Sequence, residues 1–530
     1  MVDARIITEP IFTLYKQEKN YIIQRNSGQI LKIDKELLKF QVDQDIQDIN
    51  QIKSNKNVIE SVNINRQIDS LLKQDSSDPL IYNQILLKQL RHNFPNAIDY
   101  QEHFAFNQTM LKNLEQDQFC PFRIPVIYGN VYIKPGRVYS DKFANFYLIS
   151  RKDCRRLGRR FMSRGIDKDG NTSNFVETER IIALYDDELQ SQIRLISYVQ
   201  TRGSIPLFWT SKPTMKWSPP LKINMNIDEN KPQAVKHLLE LKQEHHQQVL
   251  VNLINKQRSQ QKIGQQFTKL VENINDQDIE YVWFDFHHEC RGMKYQNLAS
   301  LVEIIKEKIN GFEYFDVSLT SGLSDLNNIN DKTVQIYNKQ IGCIRTNCMD
   351  CLDRTNVVQS VFDRYILFKQ LFKLNLVHTS QHSVLESFEP ILEELFRDAW
   401  TQNADVLSIL YTGTPALKTD FTRTGKRTLK GALNDGKNGI HRYYINQFCD
   451  GYNQDCLDFA VDKLEPRQMI QRSLFLTPLK ITLLTFGIGM IFLKRFMDYQ
   501  YPIEESDQSY KTVMIQGNGK RFVDKPSLDA

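Results

Sequence analysis

The most informative stretch of the chain is Arg345-Thr-Asn-Cys348-Met-Asp-Cys351-Leu-Asp-Arg354-Thr-Asn356. Five residues separate Cys348 from Arg354, and a threonine follows the arginine directly. Before it, Gln340–Ile344 has the composition of a buried strand. After it, Thr355–Leu374 places apolar side chains at helical spacing. A loop between a strand and a helix, with further strands and helices around it, predicts an α/β (α+β) fold.

This spacing suits the cleavage of phosphate esters through a cysteinyl intermediate. A helix N-terminus and nearby cations lower the pKa of a thiol, so that its thiolate can attack phosphorus. The N–H groups of Met349 to Asp353 can curl toward phosphate oxygens, and the guanidinium of Arg354 can bind two of these oxygens. We therefore predict Cys348 as the nucleophile and Arg354 as the cation that stabilises the transition state.

The two cysteines of the segment allow other interpretations. Cys348-x-x-Cys351, with Cys343 nearby, is a pattern of zinc sites and of redox pairs. The chain contains no second Cys-x-x-Cys, so a four-cysteine zinc site would be irregular. We predict no metal site.

Composition sets broad limits on the function. The chain has 530 residues, of which 41% are hydrophobic and 25% charged, and its net charge is +5. These values exclude a disordered chain, a collagen-like rod and a multispan membrane protein. The charge is too mild for a general affinity for nucleic acid, so anions must bind at local basic clusters. Eight cysteines are too few for a disulfide scaffold and predict a reducing compartment.

Three regions follow from the texture of the sequence. Residues 1–120 are uneven, and Gln41–Leu80 has the composition of a linker or a surface helix. Residues 121–465 mix strand and helix patterns and form the predicted catalytic body, and residues 466–530 form a tail. Strands are predicted at Ile124–Gly129, Phe146–Ile149, Pro206–Trp209 and Tyr281–Phe286, and helical spacing covers Pro232–Leu253.

Several blocks of the sequence resemble, in the same order, the motifs of the Sac-domain phosphoinositide phosphatases. The run Cys348–Asn356 looks like the signature of that family, and the likeness covers about residues 100–465. The other matching blocks are Leu148-Ile-Ser-Arg-Lys, Arg164-Gly-Ile-Asp, Asn174-Phe-Val-Glu-Thr-Glu, Val199-Gln-Thr-Arg-Gly-Ser-Ile-Pro, Phe284-Asp-Phe-His-His-Glu, Asn403-Ala-Asp405 and Ala416–Arg427.

The branch that the chain resembles most is that of the membrane-anchored endoplasmic reticulum and Golgi enzymes. The resemblance implies an N-terminal β-rich Sac subdomain, here abbreviated, followed by the catalytic subdomain. It implies hydrolysis of phosphoinositide monophosphates, above all phosphatidylinositol 4-phosphate, through a phosphocysteine and without a metal or cofactor. The implied partners are the lipid and an anionic membrane surface, with the catalytic domain in the cytosol. The sequence indicates no nucleic-acid partner and identifies no protein partner.

Two other functions share this loop. A protein phosphatase uses the same Cys-x5-Arg chemistry, but the order of the blocks disfavours it. A tether would bind the phosphoinositide without turnover, and the intact Cys348 and Arg354 disfavour that alternative.

The remaining loop residues have predicted roles around the phosphate. Cys351 is the weaker nucleophile, because Arg354 follows it after only two residues, but it could form a reversible disulfide with an oxidised Cys348. Asp350 and Asp353 are each either the general acid or a brace of the loop. The substrate is predicted to contact Met349, Cys351, Leu352 and Thr355.

A rival source of the general acid is Asp285 with His287 and His288. They follow a predicted buried strand, and active-site residues often emerge at such a position. The two histidines are adjacent, so on a strand they would point to opposite faces and would be a poor metal site.

Two clusters of cations suit an anionic substrate or an anionic membrane surface. The first has seven cations within fourteen residues: Arg151, Lys152, Arg155, Arg156, Arg159, Arg160 and Arg164. The second consists of Lys418, Arg423, Lys426 and Arg427. The alternative is a solvated charged face, which is the usual place of a charge run.

The tail contains one apolar segment, Leu474–Leu493, interrupted by Pro478 and Lys480. Its uninterrupted part, Ile481–Leu493, is shorter than the roughly 20 residues that span a bilayer. We therefore expect one marginal transmembrane helix or an interfacial helix.

Overall fold

The structure is a computed structural model. It describes residues 101–112, 126–138, 142–185, 192–320, 334–377, 387–417, 423, 428–461 and 463, together with the backbone of five strands between residues 12 and 63. Contacts divide the chain into two units, and residues 79–113 and 124–465 belong to the larger one.

The five N-terminal strands belong to the smaller unit. They pair antiparallel in the order β4-β3-β2-β1-β5. Their bounds are β1 Phe12–Gln17, β2 Asn20–Arg25, β3 Ile30–Asp34, β4 Phe40–Asp43 and β5 Val58–Asn63. The interpretation of Gln41–Leu80 as linker or surface helix was therefore wrong at the end of β4 and at β5. Isolated Ile and Val among polar residues there mark strands, not a helix surface.

The larger unit contains eleven described strands. They are β6 Gly129–Val138, β7 Lys142–Lys152, β8 Val176–Tyr185, β9 Gln192–Arg202, β10 Trp209–Thr210, β11 Lys222–Ile223, β12 Gln247–Asn252, β13 Ile279–Trp283, β14 Phe315–Thr320, β15 Val334–Asn338 and β16 Gly342–Asn347.

The described α-helices of this unit complete it. They are α1 Gln108–Lys112, α2 Ile227–Glu244, α3 Arg258–Ile274, α4 Phe286–Glu289, α5 Leu298–Gly311, α6 Asp353–Lys373, α7 Pro390–Thr412, α8 Leu429–Tyr444 and α9 Asp450–Ala460. One turn of π-helix, Ile445–Cys449, joins α8 to α9.

Nine of the described strands form one mixed sheet. Its main order is β13-β12-β16-β9-β8-β7-β6, and β14 pairs with the first half of β9. Strands β13, β12, β16 and the end of β9 are parallel, whereas β6 to β9 form an antiparallel meander. The carboxyl ends of β12, β16 and β9 therefore meet at one edge, where α/β proteins commonly place their sites.

Helices cover both faces of the parallel half. Along β12, Val249 and Val251 face the core that includes α5, α6 and α7, while Leu250 between them faces the core that includes α2 and α3. This alternation follows from the two-residue period of a strand. The α/β (α+β) prediction is confirmed.

Three predicted elements differ from the observed ones. The pattern over Pro232–Leu253 is not one helix, because α2 ends at Glu244 and β12 begins three residues later. The two valines of Val249-Leu-Val251 are β-branched and all three residues are buried, which favours a central parallel strand. Strand β13 ends at Trp283, before the predicted end at Phe286. Of Pro206–Trp209, only Trp209 lies in a strand, β10.

Candidate active site

The loop between β16 and α6 places Cys348 at the N-terminus of a helix. The backbone N–H of Cys351 donates to the Cys348 Sγ at 3.1 Å, and the N–H of Asn356 donates to the Leu352 carbonyl at 2.8 Å to begin the helix. Cys351 has a φ of +53°, which is uncommon for any residue other than glycine. Such backbone strain is typical of functional loops, and the residue that carries it here is the one whose N–H reaches the thiol.

The two cysteines have opposite protonation preferences. Hydrogen bonding from Cys351 and the charge of Arg354 hold the pKa of the Cys348 thiol well below its usual range, although burial opposes this. Burial and the neighbouring Cys348 raise the pKa of Cys351 well above its usual range. The lowered pKa belongs to Cys348 and the raised one to Cys351, and this difference favours Cys348 as the nucleophile.

Arg354 is positioned by the segment that follows β12. Its Nη1 donates to the Leu253 carbonyl at 3.2 Å and to the Asn255 Oδ1 at 3.3 Å. The guanidinium is half-buried in the first turn of α6 and contributes to the low pKa of Cys348. A planar guanidinium fixed in this way can bind two phosphate oxygens.

Asp350 is a brace of the loop. Its carboxylate lies 2.7 Å from the guanidinium of Arg160 and 2.7 Å from that of Arg164. Burial alone would raise its pKa, but the two arginines outweigh burial and hold the pKa well below the usual range. Arg164 also donates to the Met349 carbonyl at 2.7 Å. A carboxylate paired in this way keeps no proton to donate, so the structure favours the brace role.

Asp353 has the opposite environment. Burial raises its pKa, although the Arg442 Nη1 lies 3.7 Å from its carboxylate. The N–H of Leu417 donates to its Oδ1 at 3.1 Å. Of the two loop carboxylates, Asp353 is the one whose pKa is shifted upward, and it therefore fits the general acid better.

A second carboxyl behind Asp353 was not among the predicted site residues. Burial raises the pKa of Asp405, on α7, to about 7, and the charge of Asp353 adds to the effect. Its Oδ1 accepts a hydrogen bond from the N–H of Ala416 at 3.0 Å, next to the N–H that Asp353 accepts. The Asn403-Ala-Asp405 block was the sequence signal for this residue.

A buried arginine lies beside both thiols. Arg202 ends β9, and burial lowers its pKa to about 10 although Cys351 and Cys348 oppose this. Its Nη2 donates to the Asn356 Oδ1 at 3.3 Å, and the Cys351 Sγ donates to the adjacent Gly203 carbonyl at 3.0 Å. The charge of Arg202 favours the Cys348 thiolate from inside the molecule.

A buried lysine supports the loop through an asparagine. Lys152, on β7, donates to the Asn174 Oδ1, and the Asn174 Nδ2 donates to the Asp350 carbonyl at 3.0 Å. Burial lowers the pKa of Lys152 to about 7. Both residues lie in sequence blocks that resemble the family motifs, but their spacing does not predict this pair of hydrogen bonds.

Asp285, His287 and His288 follow the end of β13 as predicted, but they lie on a helical turn and not on a strand. Asp285 caps the short helix α4, accepting from the His288 N–H at 3.1 Å, and it also accepts from the Lys256 N–H at 2.7 Å. His287 and His288 lie on this helical turn and not on a strand, and both are exposed. Among the hydrogen bonds of the described residues, none joins either histidine to loop 348–354. Asp285 instead fixes the segment that holds Arg354.

The other predicted loop residues are buried around the thiolate or behind it. Leu352 is buried directly before α6, and Thr355 is buried in its first turn. The side chain of Met349 packs against the apolar cluster under α2 and α3, so its carbonyl, not its side chain, faces the arginine brace.

The first basic cluster is not a solvated face. Arg151 is buried between Glu177 and Glu179, and Arg159 is buried against Asp450. Arg160 and Arg164 bind Asp350. These four cations form ion pairs inside the molecule or with the loop. The hypothesis that the cluster guides the headgroup was therefore wrong for most of its members.

Most of the second cluster lies outside the described residues. This applies to Lys418, Lys426 and Arg427. Arg423 is exposed, and its Nε lies 3.9 Å from the Asp398 carboxylate. Within the described part of the chain, no group of three or more His, Cys, Asp or Glu side chains is arranged to hold a metal ion.

The apolar tail segment Leu474–Leu493 also lies outside the described residues. Among the helices that the structure describes, none has the length and apolar character to cross a bilayer.

Comparisons with known proteins identify the family of this chain. The SacI homology domain matches residues 8–291, which is more than half of the chain. The chain belongs to the Sac-domain phosphoinositide phosphatase family. The match begins upstream of the first described strand, so it includes the N-terminal sheet.

Curated relatives of this family are similar over most of the chain. Phosphatidylinositol-3-phosphatase SAC1-A of Danio rerio is 35% identical over 443 residues, covering 81% of this chain and 71% of the relative. Phosphatidylinositol-3-phosphatase SAC1 of Saccharomyces cerevisiae is 37% identical over 71% of this chain and 58% of the relative. Phosphoinositide phosphatase SAC6 of Arabidopsis thaliana is 30% identical over 80% of this chain and 70% of the relative.

Proposed function

We propose that this chain hydrolyses the phosphate ester of phosphatidylinositol monophosphates through a cysteinyl-phosphate intermediate. The observation that carries the proposal is the geometry of the loop: the Cys348 Sγ accepts the N–H of Cys351 directly before α6, and Arg354 lies in the first turn of that helix. The lowered pKa of Cys348 agrees with this geometry. The family match and the activities in the names of the relatives support a phosphoinositide as the substrate.

The reaction has two steps at phosphorus. In the first, the Cys348 thiolate forms the S–P bond while the bond from phosphorus to the inositol oxygen breaks, and Asp353 gives its proton to that oxygen. In the second, water attacks the phosphocysteine, Asp353 takes a proton from the water, and the thiolate and inorganic phosphate are released. Arg354 binds the equatorial oxygens in both steps and stabilises the charge that develops there.

The preferred isomer is the finer part of the proposal. The likeness to the endoplasmic reticulum and Golgi branch supports phosphatidylinositol 4-phosphate, whereas two of the relatives described above are named as 3-phosphatases. We propose the 4-phosphate as the preferred substrate and the 3-phosphate as a second one. Both are equatorial monophosphates, and the loop binds the phosphate group itself, so it can accept either position.

We also propose that the chain acts at the endoplasmic reticulum and Golgi membranes with its catalytic unit in the cytosol. Free, buried cysteines are what a reducing compartment maintains, and the described cysteines form no disulfide. Imaging of a fluorescent fusion, with protease protection of the catalytic unit, tests this; protection inside the lumen would contradict it.

The enzymatic test measures phosphate release from a panel of phosphoinositides, with Cys348→Ser as the inactive control. We expect release from the monophosphates, fastest from the 4-phosphate, and none from Cys348→Ser. Faster release from phosphopeptides would support a protein phosphatase. Lipid binding without release would support a tether, and either result would overturn the proposal.

A further inference from the structure

Helix α8 presents apolar side chains to solvent. Leu429, Leu433 and Ile440 are 80%, 69% and 51% exposed. At about 100° per residue they fall within roughly 40° of one another around the helix axis. They form a stripe along the outer side of the helix, which is unusual for large aliphatic residues in a surface helix.

A tryptophan extends this stripe. Trp217 is 69% exposed, and its ring stacks on Tyr443 of α8 with centroids 5.4 Å apart. The Tyr443 hydroxyl donates to the Met215 carbonyl at 2.6 Å, which fastens the segment to the helix. The side chain of Met215 is also exposed. The structure therefore holds an aromatic and a thioether side chain in solvent instead of burying them.

The surroundings of the stripe are basic. Residues 212–225 contain Lys212, Lys216 and Lys222 and no acidic residue. Helix α8 adds Lys430 and Lys437 along one border of the stripe, and its one acidic residue is Asp435. An apolar stripe bordered by lysines and a tryptophan is the pattern of helices that lie in a membrane interface.

The opposite side of α8 reaches the catalytic loop. Arg442 is buried there, where its Nε donates to the Thr414 Oγ1 at 2.9 Å and its Nη1 lies 3.7 Å from the Asp353 carboxylate. The stripe and the edge of the catalytic loop therefore lie on opposite sides of α8, about one helix diameter or roughly 10 Å apart.

We propose that Met215, Trp217, Leu429, Leu433 and Ile440 form a docking face for an anionic lipid bilayer, which brings the loop next to the lipid that it dephosphorylates. The proposal rests on the proposed function for the lipid substrate. The apolar side chains enter the boundary between headgroups and acyl chains, and the lysines contact the lipid phosphates. The charge of this border argues for an anionic bilayer over an apolar protein partner.

The test locates Trp217 in the full chain, because an apolar tail could bind vesicles by itself. The protein is mixed with phosphatidylcholine vesicles containing about one fifth phosphatidylserine, with or without brominated acyl chains that quench tryptophan. We expect quenching in the wild type that Trp217→Phe removes. The double variant Leu429→Gln/Leu433→Gln should lose the quenching and about fivefold or more of kcat/KM on vesicle substrate, while kcat/KM on a soluble short-chain substrate stays within about twofold.

The matched control is Ile304→Gln/Ile391→Gln, which changes two exposed isoleucines on α5 and α7. It should behave as the wild type. Absence of quenching, or equal losses in the control, would overturn the docking face. A loss of self-association in Leu429→Gln/Leu433→Gln, seen by size-exclusion chromatography without a change in quenching, would overturn it in favour of an interface between copies. Quenching without phosphate release from any substrate would support docking and count against the proposed function.

Discussion

At the residue scale, the pKa of the Cys348 thiol depends on its neighbour Cys351. The side chain of Cys351 is the largest cause of the low pKa of Cys348, and the charge of Arg354 adds to it, whereas the backbone N–H of residue 351 is kept in an alanine variant. We predict that Cys351→Ala retains turnover but raises the pKa of Cys348. Because only the thiolate attacks, kcat/KM should fall most at low pH, by about tenfold, and recover as the pH rises.

The rate of alkylation of Cys348 against pH measures this pKa directly. Cys348→Ser is the blank, since it removes the reactive thiol. A Cys351→Ala protein with an unchanged alkylation profile would show that Cys351 does not tune the nucleophile.

The environment of Asp353 shifts its pKa in the direction that a general acid needs. Burial raises its pKa, so its proton is retained to higher pH than that of an ordinary aspartate and is lost as the pH rises through that raised value. We predict that Asp353→Asn lowers kcat on phosphoinositides by about 10² or more. The loss should be small for an aryl phosphate, whose leaving group departs without a proton.

The pH profile supplies the second readout for Asp353. The falling limb of kcat at high pH should be present in the wild type and absent in Asp353→Asn. An equal loss on both kinds of substrate would assign Asp353 a bracing role, as the structure assigns to Asp350.

At the scale of elements, the loop is fastened to the segment after β7 by one buried guanidinium. Arg164 pairs with Asp350 and also donates to the Met349 carbonyl, whereas Arg160 is more exposed and shares the same carboxylate. We predict that Arg164→Ala lowers the free energy of unfolding by about 3 kcal/mol, because it removes a buried guanidinium that pairs with the half-buried Asp350 and donates to the Met349 carbonyl. Arg160→Ala should cost about 1 kcal/mol or less. Urea unfolding compares them, and equal losses would contradict this division.

Asp285 connects α4 to the segment that holds Arg354. It accepts from the Lys256 N–H, next to Asn255, whose side chain receives Arg354. We predict that Asp285→Ala lowers kcat about tenfold with little change in fold, since a displaced cation stabilises the transition state less. His287→Ala should leave kcat unchanged. Steady-state kinetics decides this, and a larger loss in His287→Ala would restore the histidine as a catalytic candidate.

The elements differ in how far the sequence could predict them. The strand–loop–helix around Cys348 was predictable, because the spacing of Cys348 and Arg354 is local and the helical pattern after it is strong. Partners that come from distant parts of the chain were not. Arg160 precedes the loop by about 190 residues and Arg442 follows it by about 90, and no local sequence pattern predicts such contacts. In the sequence, a charge run such as Arg151–Arg164 resembles a solvated surface segment, because most of the acidic partners that bury its cations lie far away in the chain.

At the scale of the whole molecule, the net charge of +5 conceals two populations of cations that respond differently to salt. Arg160 and Arg164 are paired beside the loop, where salt screens little. Exposed cations such as Lys216 and Arg423 face solvent, where about 0.1 M salt limits their reach to roughly 10 Å. We therefore predict that added salt lowers kcat/KM on anionic vesicles several-fold but changes it little on a soluble short-chain substrate. The titration uses neutral salts whose anions do not bind in the phosphate loop. Equal losses of kcat/KM on both substrates would place the salt-sensitive charges in the loop itself and not on the surface of the catalytic unit.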